Sequence, residues 1–169
     1  MKKFKLTSEF IVDISGVKLF RIKALIEFGN VKAGDLGGYI EKEENLSHMG
    51  DAWVSGDARI SGDAQVSGDA WVFGDAQVFG DAWVFGNARV FGDTQVFGDK
   101  DYAYAHGFGS CNRTTTFFRL KDGDVGVRCG CFYGTLAQFR DKVCETHGET
   151  KKAQEYLMLA DLMEIRFKN

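Results

Sequence analysis

The sequence predicts a mainly β protein: a parallel β-helix of six-residue steps, preceded by an N-terminal β cap and followed by a small C-terminal ββαα unit. Three observations carry this expectation. A period of six runs without a gap from Gly50 to Asp99, apolar residues alternate over residues 20–28, and two capped helical patterns follow Gly134. The expected division is a cap over 1–33, a repeat region over 34–107 and the ββαα unit over 108–169.

The cap comes first. Phe20, Ile22, Ala24, Ile26 and Phe28 alternate with Arg21, Lys23, Leu25 and Glu27, the period of two of a half-buried strand, and Ser15-Gly16 offers a turn before it. A small sheet at this end has a physical purpose, because the first coil of a stacked repeat otherwise exposes an unpaired strand edge.

The repeat reads GDAWVS, GDARIS, GDAQVS, GDAWVF, GDAQVF, GDAWVF, GNARVF, GDTQVF. Val54, Ile60, Val66, Val72, Val78, Val84, Val90 and Val96 hold the β-branched position. Ala52, Ala58, Ala64, Ala70, Ala76, Ala82, Ala88 and Thr94 stand two residues earlier. Residues i and i+2 share one face of a strand, so both ends of each triplet point inward and the middle points outward. Glycine then turns the chain, and three steps of six make one triangular coil. The pattern loosens at Asp101-Tyr102-Ala103-Tyr104, where a bulkier final coil is expected.

Behind the repeat, Thr114–Leu120 and Val125–Cys131 flank the turn Lys121-Asp122-Gly123-Asp124 as a hairpin. Thr135-Leu136-Ala137-Gln138 is a capping box, with Leu136, Phe139 and Val143 on one helical face and Gly148 as the stop. Thr150 caps a second helix, whose Ala153, Leu157, Ala160 and Met163 recur at helical spacing.

Composition narrows the class. Of 169 residues 44 % are hydrophobic, which excludes intrinsic disorder, and no run approaches the roughly 20 apolar residues of a membrane helix. The start, Met1 to Thr7, lacks the apolar core of a secretion signal, and four cysteines suit a reducing compartment, so a soluble cytoplasmic protein is expected. Residues 1–50 carry 8 basic and 7 acidic groups, residues 51–110 carry 3 and 9, and residues 111–169 carry 10 and 8. An acidic middle is a poor phosphate surface, so direct nucleic-acid binding is not expected.

Eight large aromatics point away from the interior: Trp53, Trp71, Phe73, Phe79, Trp83, Phe85, Phe91 and Phe97. Leaving them in water is unfavourable, since each buried aromatic contributes roughly 1.5–3 kcal/mol. Coverage by identical subunits is therefore expected.

The step Val54-Ser55-Gly56-Asp57-Ala58-Arg59 and its copies resemble the hexapeptide repeat of left-handed β-helix proteins, and Gly34 to Ile40 resembles an irregular first coil. Together with the leading KLTSEF and the trailing GCFYGTLAQF, the GDAxV variety also resembles phage and prophage proteins of Gram-positive bacteria. The resemblance implies left-handed coils, a homotrimer and the cytoplasm of a bacterial host.

Four places in the sequence carry residues of chemically active types. The Asp column of the repeat reads as backbone-capping corners rather than a calcium site, since Asn87 replaces one Asp without breaking the pattern. Cys129, Cys131, Cys144 and His147 are of zinc-binding types, but Cys129 and Cys131 lack the usual Cys-x-x-Cys spacing, so no metal and no cofactor is assigned. Hexapeptide proteins are often acyltransferases with a histidine base, which here leaves His48, His106 and His147 and no evident carboxylate orienter. The loop from His106 to Thr114 combines glycines, hydroxyls and Arg113 in a way that suits an anion. Its candidate residues are Tyr102, Tyr104, His106, Phe108, Ser110, Arg113 and Thr114, with the aromatics placed to stack on a base.

The functional expectation is a non-catalytic oligomeric binding protein of phage origin that antagonises host defence. It would do so by sequestering a small anionic, nucleotide-like ligand or by binding a host protein. The alternatives are a hexapeptide-type acyltransferase and a self-assembling structural protein.

Overall fold

A computed structural model describes all residues except 97, 99, 111 and 169. The chain forms two compact units, Met1–Asp99 and Lys100–Asn169.

The first unit opens with β1 (Phe4–Val12) and β2 (Lys18–Ala24), an antiparallel pair closed by a turn at Gly16, and β3 (Leu36–Ile40) lies antiparallel beside β2. The alternation read over residues 20–28 ends as a strand at Ala24. Beyond it the chain turns back on itself, with Phe28 bridged to Val31.

Short strands then follow at every step: β4 (Trp53–Val54), β5 (Arg59–Ile60), β6 (Gln65–Val66), β7 (Trp71–Phe73), β8 (Gln77–Val78), β9 (Trp83–Val84), β10 (Arg89–Phe91) and β11 (Gln95–Val96). They pair in parallel with the strand one coil away, Trp53 with Trp71 and Gln65 with Trp83, which makes three faces of a β-solenoid of about three turns. One face is continuous with the cap, in the order β1-β2-β3-β5-β8-β11; the second is β4-β7-β10 and the third is β6-β9. The interior is filled as the triplets require: every repeat Ala from Ala52 to Ala88 and every β-branched residue from Val54 to Val96 is fully buried. At the corners the glycines have positive φ, and a Cβ on Gly56 would lie 3.2 Å from the Gly74 backbone of the next coil.

Coils join by N–H groups donating to carbonyls one coil later, as Trp53 N to Ala70 O at 3.0 Å and Asp63 N to Gly80 O at 2.8 Å. At two corners near the start of the solenoid, side chains rather than backbone N–H groups reach the carbonyls. Lys3 Nζ donates to Gly50 and Ala52 at one corner, and Asn45 Nδ2 donates to Gly62 and Ala64 at another. Both side chains are buried, and both stand in for backbone donors.

The first coil is two residues longer than the rest. Leu46 bridges Val66 and Ile40 pairs with Ile60, each 20 residues on, while Val54 pairs with Val72, 18 on. The extra residues fall between Leu46 and Val54, the stretch that carries His48.

The second unit is a four-stranded antiparallel meander, β12 (Tyr102–Phe108), β13 (Arg113–Arg119), β14 (Val125–Cys129) and β15 (Phe132–Thr135), followed by α1 (Leu136–His147) and α2 (Lys151–Phe167). The expected bulky coil at Asp101–Tyr104 is thus not a coil. Tyr102 pairs antiparallel with Phe118, because with Gly-Asp corners absent the chain runs straight for seven residues. The capping box at Thr135 and Gln138 forms, Gly148 ends α1 and Thr150 caps α2. The core holds Phe117, Val127, Phe139, Ala153, Tyr156, Ala160 and Met163. Tyr156 takes the central place expected of Leu157, which is half-buried.

No helix among the described residues is long and apolar enough to cross a membrane.

Candidate functional site

The outward columns of the solenoid explain which aromatics stay exposed. On the β4-β7-β10 face Phe73 stacks on Phe91 with centroids 4.8 Å apart, and the Arg89 guanidinium lies 5.3 Å over the Trp71 ring. Trp53 is buried, 3 % exposed, with Phe28 edge-on at 5.4 Å. These rings are covered coil upon coil by their own chain, so Trp53 offers no surface to a second subunit, and Trp71, Phe73, Phe79 and Phe91 are only half-exposed. Phe97 lies outside the described residues.

The β6-β9 face is different because it has two strands. Its outward columns run from Gln65 to Trp83 and from Ser67 to Phe85. Trp83 remains 54 % exposed and Phe85 39 %, the two rings meeting edge to face at 6.2 Å. Beside Trp83 a groove of about 700 Å³ crosses this face, floored by Ser47, Gln65 and Ser67 and walled by Lys2, Glu43 and His48.

The wall groups are bonded to one another. Lys2 Nζ donates to Glu43 Oε1 at 2.8 Å, and the same oxygen lies 3.2 Å from His48 Nε2. His48 Nδ1 accepts from the Lys3 backbone N–H at 3.2 Å, which places the ring proton on Nε2, facing Glu43. The His48 ring stacks on Phe4 at 4.3 Å. Lys2 holds the Glu43 carboxyl below the usual carboxylate range. His48 therefore does have a carboxylate neighbour, contrary to the sequence reading, which had no means of bringing Glu43 to it across the 3₁₀ turn Glu43–Asn45. Yet both ring nitrogens are engaged, and none is left to take a proton from a substrate.

The residues expected to form an anion site are divided by the sheet of the second unit. Tyr102, Tyr104, His106 and Thr114 share one face with Phe118 and Thr116, while Phe108 pairs with Arg113 beyond a register shift. Tyr102, Thr116 and Phe118 are 5 %, 1 % and 0 % exposed, so the centre of that face is not an open stacking platform. Burial raises the Tyr102 phenol well above its ordinary range, and among the described residues its hydroxyl has no hydrogen-bond partner.

The amides of the turn after β12 are already used. Gly109 N–H donates to Glu155 Oε2 at 2.7 Å, and Ser110 N–H to the Tyr156 hydroxyl at 3.0 Å. An internal carboxylate thus occupies the position foreseen for a bound anion. His106 Nδ1 meets Thr114 Oγ1 at 2.9 Å, and the Arg113 guanidinium lies over Gly130.

Cys129 accepts from the Thr115 hydroxyl at 3.2 Å, while Cys131 and Cys144 are exposed. Among the described residues no group of three or more His, Cys, Asp or Glu is arranged to hold a metal ion. His147 stacks on the Tyr156 ring at 5.8 Å.

A feature the sequence reading missed lies on α2. Met158, Leu162 and Ile165 are 71 %, 54 % and 72 % exposed and recur at i, i+4 and i+7, so they form an apolar stripe opposite the core face. The signal was present in the spacing, but a 17-residue helix rich in apolar residues offers more than one stripe.

No curated protein matches the chain. Residues 52–68 and 64–80 each match the YdcK β-solenoid repeat family, and the middle of the chain is similar to that repeat.

Proposed function

We propose that the chain is a non-catalytic, self-associating binding protein whose β-solenoid supports a ligand groove. The observation that carries this reading is Trp83: a large ring held half-exposed beside hydroxyl and amide groups and a Glu43 carboxylate that Lys2 and His48 hydrogen-bond. The sequence resemblance extends it to left-handed coils of hexapeptide steps, a homotrimer, a phage or prophage source and a cytoplasmic role against host defence. The α2 stripe and Phe85 supply apolar area for contact with further copies.

Charge bears on the ligand. Glu43 and Glu44 outnumber Lys2 in the groove, and the turn amides after β12 are taken, so the groove suits a neutral ligand better than a small anion. The acyltransferase alternative needs a histidine with a free nitrogen, which His48 does not offer.

Comparing wild type with Trp83→Gln, both purified from the same cells and extracted for bound small molecules, tests the reading. Gln stands at the matching position in Gln65, so the coil accommodates it. The wild type should retain a species that the variant lacks, and neither should transfer or hydrolyse an acyl group. Equal retention would refute the groove, and turnover lost in His48→Ala would restore the enzyme.

A further inference from the structure

Building on the groove reading above, we propose that this groove is a saccharide site, in which the Trp83 indole receives the apolar face of a neutral pyranose ring. Three features of the groove select that class.

The first is the platform. Of the three tryptophans, Trp53 is buried and Trp71 lies under Arg89, whereas Trp83 keeps 54 % of its surface exposed at the rim of about 700 Å³ of open space. A ring face with its negative quadrupole attracts the polarised C–H groups on one side of a sugar. The volume is that of a small-ligand site.

The second is the floor. Gln65 and Ser67 stand where the next coil carries Trp83 and Phe85, so less side chain fills the groove beside the indole. Hydroxyl and amide groups both donate and accept, which matches the mixed donors and acceptors of sugar hydroxyls. The wall adds acceptors: Glu43, hydrogen-bonded to Lys2 and His48, and the exposed Glu44.

The third is charge. Two carboxylates face one ammonium that is already paired, so a phosphate or other anion meets net repulsion. The same carboxylates attract a cation, but a quaternary cation is best held by several Trp, Tyr or Phe faces, and the groove lining presents one.

The test is titration of the full-length protein with maltotetraose, cellotetraose and the trimer of N-acetylglucosamine, read by calorimetry and by tryptophan emission, with adenosine monophosphate and choline as non-saccharide probes. Two variants keep the fold while changing the groove. Trp83→Gln removes the platform, and Ser67→Phe fills the floor with the residue found at the matching position of the next coil, Phe85. At least one oligosaccharide should bind saturably, with little dependence on salt, and both variants should weaken it by about tenfold or more.

Failure of all three oligosaccharides to bind would overturn the saccharide assignment, as would binding that both variants leave unchanged. Trp83-dependent binding of the nucleotide or of choline instead would overturn the assignment while leaving the groove reading intact. A ligand retained from cells equally by wild type and Trp83→Gln would remove the groove reading itself.

Discussion

The ammonium of Lys3 donates to the Ala52 carbonyl at 2.8 Å, from a side chain only 2 % exposed. Inside the solenoid that carbonyl position is served by a backbone N–H from the preceding coil, as Ala70 is served by Trp53. At the first coil a cation from the residue before β1 does the same work. This contact and the bond from the Lys3 backbone to His48 tie the start of the chain to the groove wall.

Lys3 makes stability depend on alkaline pH. Burial lowers its pKa from 10.5 to about 8, partly opposed by Asp51 and Asp69. Below about pH 8 both folded and unfolded chains carry the proton, and the cost of burying the charge is present in full. Between about 8 and 10.5 the unfolded chain holds the proton that the folded one has lost, so this group's contribution to stability rises with pH. Lys3→Met has no such titration. Urea unfolding across this range should show wild type gaining on the variant as pH rises; a constant difference would contradict the buried ammonium.

The interior and the corners should respond oppositely to charge. Val78 is fully buried, so Val78→Asp places an unpaired carboxylate in an apolar interior and should cost at least about 3 kcal/mol, enough to prevent folding. Asp81 is exposed at a corner, and Asp81→Asn should shift stability by about 0.5 kcal/mol or less. Circular dichroism melts of both variants decide this, and a well-folded Val78→Asp protein would overturn the inward assignment.

The α2 stripe separates assembly from folding. Met158→Glu with Leu162→Glu changes two residues 71 % and 54 % exposed, on the side of the helix away from Phe139 and Tyr156. Melting temperature should stay close to that of wild type while light scattering reports a smaller particle. An unchanged particle mass would exclude the stripe from the interface.

The repeat was legible because each of its steps states the same rule: a small residue, an outward residue and a β-branched residue between Gly-Asp corners. Eight copies leave little room for another period, and the buried Ala and Val columns follow directly. The helix ends were equally plain, because Thr135, Gln138, Gly148 and Thr150 act through local hydrogen bonds. What could not be read was set by register between distant residues. Trp53 looks outward in sequence but is covered by Phe28, a residue from the cap. Tyr102 looks like the end of the repeat but pairs with Phe118. Glu43 meets His48, and Glu155 reaches Gly109, only once the chain is folded. The glycine and hydroxyl content of the turn after β12 suggested an anion, and the fold supplies one from its own helix.

Native mass spectrometry of the protein taken directly from cells tests the central claim most directly, since one spectrum reports subunit count and retained mass together. The account predicts a homotrimer carrying extra mass that is released on unfolding and absent from Trp83→Gln. A bare monomer, with the same mass in wild type and variant, would contradict both the self-association and the groove.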